Sequence, residues 1–336
     1  MTSHRFRLLT VTVALSAVLL SGCATPTAPT AAGGSAVTVK DCQGKDVTFA
    51  DSPKRVVAID GWAAQSMAHL GLADRIVGVG FPGPLTAEPE PYRSEVAKIP
   101  VLSEKSMPVT ETVAALRPDT VVTGFSSFGG APGSAKDADL ATMGAQGVAA
   151  CQPGGMTGGT AMTDLSATYD FIIKLGKIFR VTDRADKLVS DLRAREQAAA
   201  AKATGPRVRV LTLAENPAAG QPVKALGGGT ISNAITLLAG GQNIFDDVGS
   251  MHADVSPEKV ADLDPQVIWV VTDFSFAKTT GQQLVDSIKA NPLLASTTAV
   301  KQGRILSTSQ YLVGAPTPLN LDGLDQLASG LHPVSP

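Results

Sequence analysis

The sequence is poor in the residue types that metal, redox and nucleic-acid sites use most. Its 336 residues include only 3 cysteines and 4 histidines. Two of the histidines, His4 and His332, lie near the two ends of the chain, so a site that binds bare zinc or manganese through several histidines is not expected. The net charge is -2 and no run of like charges is present, which argues against nucleic-acid binding. A metal bound by this protein is therefore expected to arrive already chelated.

Motifs of common exported enzymes are also missing. The sequence contains no G-x-S-x-G, no H-E-x-x-H and no pair of carboxylates in a glycine-rich loop. The segment GGGTISNAITLLAGG begins with glycines but lacks the Lys-Ser/Thr ending of a phosphate-binding loop. Its glycines are expected to let the backbone approach a bulky ligand or to form a turn, with Thr230 and Asn233 as weak contacts. The sequence predicts a protein that is not an enzyme; an exported α/β hydrolase is the less favoured alternative.

The N-terminal segment is typical of a bacterial lipoprotein. Basic residues precede an apolar stretch over residues 8–20, which is too short for an ordinary membrane-spanning helix. The sequence LLSGC then looks like a lipobox, which predicts removal of residues 1–22 and a lipid on Cys23; cleavage elsewhere would leave Cys23 unmodified. Residues 23–36 are rich in small residues and proline, as expected of a flexible tether. The protein is expected to be exported and anchored to the outer face of the cytoplasmic membrane.

Two cysteines remain when Cys23 is set aside. Cys42 and Cys151 form an even pair in an oxidising compartment, which favours one disulfide. Two buried free thiols are the alternative, and a metal site built on this pair is less favoured still.

The body of the chain alternates short apolar runs with amphipathic segments. After a predicted hairpin in AVTVKDCQGKDVTFA, the runs RVVAID, RIVGVG, IPVLS and DTVVTG predict strands, and GWAAQSMAHLGL and TETVAALR predict helices between them. A second series of strands and helices follows residue 204. This alternation predicts an α/β protein with mostly parallel sheets.

A long segment with helical spacing of apolar residues separates the two series. It runs over about 40 residues and predicts one interdomain helix of roughly 55 Å, with a jog near residues 181–183. We therefore predict two Rossmann-like α/β lobes joined by one long helix, with a ligand cleft between the lobes. The expected boundaries are 37–162 for the N-terminal lobe, 163–203 for the helix, 204–313 for the C-terminal lobe and 314–336 for a C-terminal helix and tail.

Several segments in order resemble a known family, the class III substrate-binding proteins of ABC importers. They include RVVAIDGWAAQSMAHLGLADRIVGVG, IPVLSEKSMPVTETVAALRPDTVV, GGGTISNAITLLAGGQNIF, ADVSPEKVADLDPQVIWVV and NPLLASTTAVKQGRILS. This helical-backbone group takes up ferric siderophores, haem and cobalamin. The resemblance implies a receptor that captures such a ligand outside the cytoplasm and delivers it to a permease.

The pattern E-x-V-A-x-L-x-P occurs twice, once in each predicted lobe. Its acids are Glu111 and Glu258. Each follows a Ser or Thr at a plausible N-cap and lies in the first helical turn, where the helix dipole favours a carboxylate. Capping alone would explain an acid at each position. The resemblance implies a further role, in which each glutamate pairs with arginines of a permease subunit.

Ligands of parallel sheets bind beyond the carboxyl ends of the strands, and several of the few aromatic residues fall in these loops. The candidate ligand contacts are Trp62, Phe81, Tyr92, Phe125 and Phe128 in the first lobe, and Lys224, Thr230, His252, Asp273, Phe274, Phe276 and Tyr311 in the second, with Asn216 as a further possibility. His252 lies where the resembled family often has a ligand-contacting side chain, although a lone histidine is more often structural.

A ferric siderophore is the first expectation for the ligand, because it is the commonest cargo of the resembled family; haem and cobalamin are the alternatives. No covalently bound cofactor and no metal site of the protein's own are expected. The expected partners are an ABC permease dimer with its ATPase and, through the lipid, the membrane; the protein itself is expected to be a monomer. A cell-surface binding lipoprotein without a transport role is a further alternative. A packed connecting helix predicts little closure on ligand binding.

Overall fold

The computed structural model describes residues 35–154, 158–203, 205–275 and 277–333. Cys23, the signal segment and most of the tether lie outside the described residues. The first element is an antiparallel hairpin of β1 (Val37–Lys40) and β2 (Asp46–Phe49), which confirms the predicted hairpin. The Asp41 side chain accepts hydrogen bonds from two backbone N–H groups in its turn.

The N-terminal lobe contains a parallel sheet of five strands in the order β5-β4-β3-β6-β7. Its elements are β3 (Val56–Ala58), α1 (Gly61–His69), β4 (Ile76–Gly80), α2 (Tyr92–Val96), β5 (Val101–Ser103), α3 (Thr110–Ala115), β6 (Thr120–Thr123), α4 (Asp137–Met143) and β7 (Gln146–Ala149). The four strands expected from the sequence are present, and β7 is an additional edge strand.

The two helices that precede the repeated proline end in the same way. In α3 the chain leaves the helix at Arg117, which has φ 46°, and in the second copy Asp264 has φ 42°. Both residues directly precede proline, which disfavours the right-handed helical region for them. The repeated proline therefore stops both helices at the same distance from their glutamates.

The predicted single interdomain helix is wrong. The chain forms α5 (Ser166–Ile178) and α6 (Thr182–Ala200), which pack against each other. The turn lies at Arg180, with φ 58°, and Gly176 permits close approach because a Cβ there would lie 2.4 Å from the Ala185 Cβ. At 1.5 Å per residue the helices are about 20 and 29 Å long. The jog expected near residues 181–183 lies beside this turn, but the sequence pattern did not show that the chain forms two separate helices.

The C-terminal lobe has a mixed sheet in the order β11-β9-β8-β12-β13, with β10 also paired to β8. Its elements are β8 (Val208–Leu213), β9 (Val223–Leu226), α7 (Ile231–Leu238), β10 (Gly241–Asn243), β11 (His252–Val255), α8 (Pro257–Leu263), β12 (Val267–Val271), α9 (Gly281–Lys289), α10 (Thr298–Lys301), β13 (Ile305–Thr308), α11 (Gln310–Val313) and α12 (Asn320–Leu331). Strands β8, β12 and β13 are parallel to one another. Strand β9 is antiparallel to both of its neighbours, β8 and β11. The α/β fold of two lobes is thus confirmed.

Each sheet buries both faces against helices. On one face, a single apolar cluster runs through both lobes and includes Val56 of β3, Leu175 of α5 and Trp269 of β12. Two separate clusters cover the other faces, one around Val121 in the first lobe and one around Ile268 in the second. The shared cluster makes the two lobes one continuous packed body.

Candidate ligand-binding cleft

A buried carboxylate organises the loops at the carboxyl edge of the N-terminal sheet. Asp60 is the N-cap of α1 and accepts hydrogen bonds from the backbone N–H of Ala63 (3.0 Å) and Gly124 (2.9 Å) and from the Thr123 hydroxyl (2.7 Å). Burial raises the pKa of the Asp60 carboxyl, and these hydrogen bonds oppose that rise. One side chain therefore joins the loops that follow β3 and β6.

Four aromatic rings from both lobes meet beside this carboxylate. The Trp62 ring centroid lies 5.5 Å from Phe81, 5.5 Å from Phe125 and 6.4 Å from Tyr311. Trp62 is only 3% exposed, whereas the other three are half-buried. Trp62 is thus the base of the cluster, and Phe81, Phe125 and Tyr311 are the rings that a ligand could touch.

Glycines allow the lobes to meet at this cluster. A Cβ on Gly83 would lie 2.6 Å from the Tyr311 hydroxyl, and one on Gly314 would lie 3.1 Å from the Trp62 ring. A buried hydrogen bond of 2.8 Å from the Thr317 hydroxyl to Gln65 joins the lobes one helical turn further along α1. The aromatic cluster therefore lies at the junction of the two lobes.

The C-terminal lobe contributes a cavity of about 250 Å³. It is lined by Ala214, Glu215, Lys224, His252 and Phe274. The His252 ring lies 6.2 Å from the Phe274 ring at an interplanar angle of 86°. Burial lowers the pKa of His252, and the neighbouring Lys224 charge lowers it further. The imidazole is therefore neutral at neutral pH.

The unused nitrogen of this histidine is the notable feature of the cavity. Among the described residues, no group forms a hydrogen bond with the buried His252 Nδ1. Buried polar atoms are normally paired, so a neutral imidazole with an unpaired nitrogen is suited to contact a ligand. Sequence reasoning identified His252 and Lys224 but missed Glu215, whose position directly after the buried end of β8 was the available signal.

Two loops connect this cavity to the aromatic cluster. The Gln310 side chain hydrogen-bonds the Ser275 hydroxyl at 2.7 Å, which joins the loops after β12 and β13. Burial raises the pKa of Tyr311, and the nearby Asp273 charge raises it further. The Asp273 charge thus acts on the cleft ring of this lobe. Phe276, the remaining candidate in this loop, lies outside the described residues.

Two predicted aromatic contacts lie elsewhere. Tyr92 stacks on His69 at 3.8 Å, at the end of α1 opposite Trp62. Phe128 packs against the outer-face cluster of the first lobe and close to Gly147. Tyr92 and Phe128 therefore lie outside the aromatic cluster around Trp62. Both follow strands in the sequence, but Tyr92 packs at the end of α1 and Phe128 packs on the outer-face cluster.

The glycine-rich loop before α7 packs against the protein's own backbone. A Cβ on Gly229 would lie 2.2 Å from the Gly249 carbonyl oxygen, and one on Gly154 would lie 2.1 Å from the Gly229 carbonyl oxygen. Thr230 is buried, accepts from Asn233 N–H as the N-cap of α7 and donates to Gly227 O at 2.9 Å. The structure therefore gives these glycines and Thr230 a structural role.

The other weak candidates also have partners within the fold. Asn233 donates to Met162 O at 2.9 Å, and Asn216 accepts from Asn291 at 2.7 Å.

The two repeated glutamates are exposed in the first turns of α3 and α8. Ser256 caps α8 by accepting a hydrogen bond from Lys259 N–H. The pKa of the Glu258 carboxyl is lowered by hydrogen bonds from the Glu258 backbone N–H and from the Ser256 side chain. The N-cap of α3 is Val109, which has no capping side chain. The expectation of a Ser or Thr cap is thus correct for the second copy and wrong for the first.

Cys42 and Cys151 are joined by a disulfide, with their Cα atoms 5.1 Å apart. The bond connects the turn of the hairpin to the segment after β7. Within the described residues, no group of three or more His, Cys, Asp or Glu side chains is arranged to hold a metal ion. The same part of the chain contains no helix with the length and apolar character needed to cross a membrane.

The family model described as periplasmic binding protein matches residues 56–312. The chain belongs to this family. The match covers the cleft loops of both lobes and both glutamates. Membership confirms the predicted family and the prediction that the protein is a binding protein and not an enzyme.

Individual relatives of this binding protein agree in extent and fold. The Bacillus subtilis uncharacterized ABC transporter substrate-binding lipoprotein YvrC is 23% identical, with 95% of each chain covered. A Halobacterium salinarum cobalamin-binding protein is 24% identical, with 98% of this chain and 85% of that one covered. A solved structure described as an ABC-type Fe3+-hydroxamate transport system from Saccharomonospora viridis has a TM-score of 0.70 at 26% identity, with 88% of this chain and 98% of that one covered.

Proposed function

We propose that this binding protein captures a chelated metal complex outside the cytoplasm and delivers it to the permease of an ABC importer. The complex is a ferric siderophore. The observation that carries the proposal is the aromatic cluster built by both lobes, in which Phe81, Phe125 and Tyr311 lie half-exposed over Trp62. Sites for organic ligands combine such aromatic walls with a few polar groups.

The polar groups are supplied by the cavity of the second lobe. Lys224 carries a positive charge suited to an anionic complex, and neutral His252 has an unpaired nitrogen for a hydrogen bond. The Asp273 charge also acts on Tyr311, so the second lobe supplies polar groups while the first lobe supplies most of the rings. A ligand held between the lobes would bury apolar surface against the rings and place its charged groups near these polar side chains.

Two similarities bear on the choice of ligand. The Saccharomonospora viridis structure is described as an ABC-type Fe3+-hydroxamate transport system, which favours a ferric siderophore. The Halobacterium salinarum relative is named for cobalamin, which makes cobalamin the second candidate. Haem remains the third compound for comparison.

The proposed delivery uses the two lobe surfaces and an anchor. Exposed Glu111 and Glu258 would pair with basic groups on the two permease subunits, steering and aligning the receptor more than adding affinity. A lipid on Cys23 and the tether that follows would keep the receptor close to the membrane. The sequence LLSGC supports that modification.

The test is a tryptophan fluorescence titration of the mature protein with ferric hydroxamate, catecholate and carboxylate siderophores, cobalamin and haem. We expect saturation below about 1 μM by one ferric siderophore, but not by its iron-free form. The signal should come from Trp62, because its ring packs against the three rings that a ligand could touch, whereas Trp269 lies within β12 in the core.

Trp62→Phe is the matched control, since it leaves Trp269 as the one remaining tryptophan. The variant should bind the same compound by calorimetry while losing most of the fluorescence change. Saturable binding of cobalamin alone would replace the siderophore with the second candidate. The proposal is refuted if calorimetry detects binding of none of these compounds.

A further inference from the structure

The segment that follows β7 lies against the loop that carries Phe125. Ala150 N–H donates to Phe125 O at 3.0 Å. Two residues later, Gln152 N–H donates to the Ser126 hydroxyl at 2.9 Å, and the Gln152 side-chain amide donates to Gly124 O at 3.2 Å. Gln152 is therefore hydrogen-bonded both to the residue before Phe125 and to the residue after it.

These contacts hold Gly124 from two sides. Its N–H donates to the buried Asp60 carboxylate at 2.9 Å, and its carbonyl oxygen accepts from Gln152. Gly124 also packs directly on α1, since a Cβ at this position would lie 2.8 Å from the Trp62 Cβ. The peptide that leads into Phe125 is thus fixed beside Trp62 by one buried carboxylate and one side-chain amide.

Gln152 is itself anchored by its neighbours in the chain. The preceding residue, Cys151, is bonded to Cys42 in the turn of the hairpin. Two residues after Gln152, Gly154 packs against the second lobe, where a Cβ would lie 2.1 Å from the Gly229 carbonyl oxygen. A segment that is fixed on both sides of Gln152 can hold the neighbouring loop in one position.

The other two rings that a ligand could touch are placed by different contacts. Phe81 O accepts from Gly61 N–H, at the start of α1, at 3.1 Å. Tyr311 lies in the first turn of α11, and its N–H donates to the Ser309 hydroxyl at 3.2 Å. The segment after β7 therefore acts on the third ring, Phe125.

We propose that Gln152 is a positioning residue for ligand binding, which acts by holding the Phe125 ring against Trp62. This inference rests on the proposed function, in which Phe125 contacts the ligand. The Phe125 ring is half-buried and meets the Trp62 ring edge-on at 5.5 Å. A ring on a loop that is already fixed loses less conformational freedom when a ligand binds. Gln152 thus strengthens binding by preorganisation, without contacting the ligand.

The test replaces Gln152 with methionine, which keeps the length of the side chain and removes its amide. The matched control is Gln146→Met, at an exposed position at the start of β7. Calorimetry uses whichever of the ferric siderophores, cobalamin and haem binds the wild type. Because one hydrogen bond is lost, Gln152→Met should weaken binding about fivefold. Gln146→Met should bind as the wild type does.

A double-mutant cycle with Phe125→Ala separates positioning from a general loss of stability. Phe125→Ala should itself weaken binding, and Gln152→Met should then add no further loss. Equal losses from Gln152→Met with and without the ring would overturn the inference, as would wild-type affinity in Gln152→Met alone. If Phe125→Ala binds as the wild type does, the proposed contact of this ring fails, and the binding role of Gln152 fails with it.

A measurement on the free protein tests the positioning without a ligand. Acrylamide quenching of tryptophan fluorescence should rise in Gln152→Met, because displacement of Phe125 uncovers Trp62, which is 3% exposed in the intact cluster. The rise should be absent when Trp62→Phe is added. Ser126→Ala removes the acceptor of Gln152 N–H and should change quenching and affinity in the same direction, so it takes the place of Gln152→Met if that variant does not fold.

The two measurements separate this inference from the proposed function. Unchanged quenching in a Gln152→Met protein, while the wild type binds its compound, overturns the inference alone. Absence of binding by the wild type for every compound overturns the proposed function, and the binding role of Gln152 falls with it.

Discussion

At the scale of single residues, the cleft depends on buried polar groups as much as on its rings. Asp60 joins the first turn of α1, which carries Trp62, to the loop that carries Phe125. Its carboxylate oxygens accept hydrogen bonds from Ala63 N–H and Gly124 N–H. His252 has the opposite character, since its ring is half-buried and its Nδ1 has no partner among the described residues. Asp60 fixes the site, and we expect His252 to contact the ligand.

The lowered pKa of His252 predicts how stability depends on pH. A histidine whose pKa is lower in the folded state binds a proton more readily when unfolded, so acidification below about pH 6.5 favours unfolding. We expect the free energy of unfolding of the wild type to fall through this range more steeply than that of His252→Gln. Urea unfolding of both proteins between about pH 5 and 8 measures the difference.

The difference between the two proteins isolates His252, because His69 and His332 are common to both. The groups that act on His252, namely Lys224, Asp254 and Glu215, are also retained. If the free energy of unfolding of the wild type falls no more steeply on acidification than that of His252→Gln, the assigned direction is contradicted.

The residue-level outcome separates what a sequence can reveal from what it cannot. The rule that ligands lie beyond strand ends led to Phe81, Phe125 and Tyr311, which the structure brings together around Trp62. It also led to Tyr92 and Phe128, which lie outside this cluster, because the path of a loop after its first residues depends on tertiary packing. Asp60 could have been recognised as an N-cap, but its hydrogen bond to Thr123 links residues 63 positions apart.

At the scale of elements, the hairpin is tied to the lobe by more than its strands. Hairpin β1–β2 forms its own two-stranded sheet. The disulfide fixes its turn to the segment after β7, and Arg180 donates to Ser35 O and Ala50 O at its two ends. A two-stranded hairpin alone is marginal in water, so these ties keep it in place.

Removal of the disulfide should therefore lower stability. The bond closes a loop between residues 109 positions apart, and loss of such a bond typically costs about 2–5 kcal/mol. We expect Cys42→Ser combined with Cys151→Ser to unfold at lower urea concentration than the oxidised wild type. Reduced wild type should match the variant, which itself should not respond to the reductant. Equal midpoints for all samples would show that the bond contributes nothing.

Element prediction succeeded where apolar runs are continuous and failed where they are not. Strands such as β3 and β12 are buried throughout and stood out as apolar runs. Antiparallel β9 and β11 contain exposed residues, and no local signal marked them. The turn at Arg180 was missed because a positive φ at arginine depends on the packing of α5 against α6 and not on local preference.

At the scale of the whole molecule, the lobes are joined by packed and hydrogen-bonded surfaces. The shared apolar cluster passes through α5, and Thr168 of α5 donates to Asn320 of α12 at 2.6 Å. The Thr317–Gln65 bond adds a second buried connection. We therefore expect the two helices and these contacts to provide the restraint on hinge motion that was expected from one long helix.

We therefore expect little closure when the ligand binds. Small-angle scattering with and without the saturating compound should give nearly the same radius of gyration, because rotation of the lobes would break buried hydrogen bonds. Thr317→Val, which removes the hydroxyl with little change of shape, should allow a larger change. A compaction of the wild type comparable to that of receptors with loop hinges would show that these contacts do not restrain the lobes.

The position of α12 has a consequence for the order in which the two lobes fold. This last helix places Leu321, Leu324 and Leu327 in the core and packs against α6 and α7. A chain that emerges N-terminus first can complete its first lobe early, because all five strands of that sheet precede residue 150. The second lobe must wait for residues 320–331, and its apolar faces stay open until then. We therefore expect the chain to be most susceptible to aggregation and proteolysis late in its export, while the second lobe still lacks its last helix.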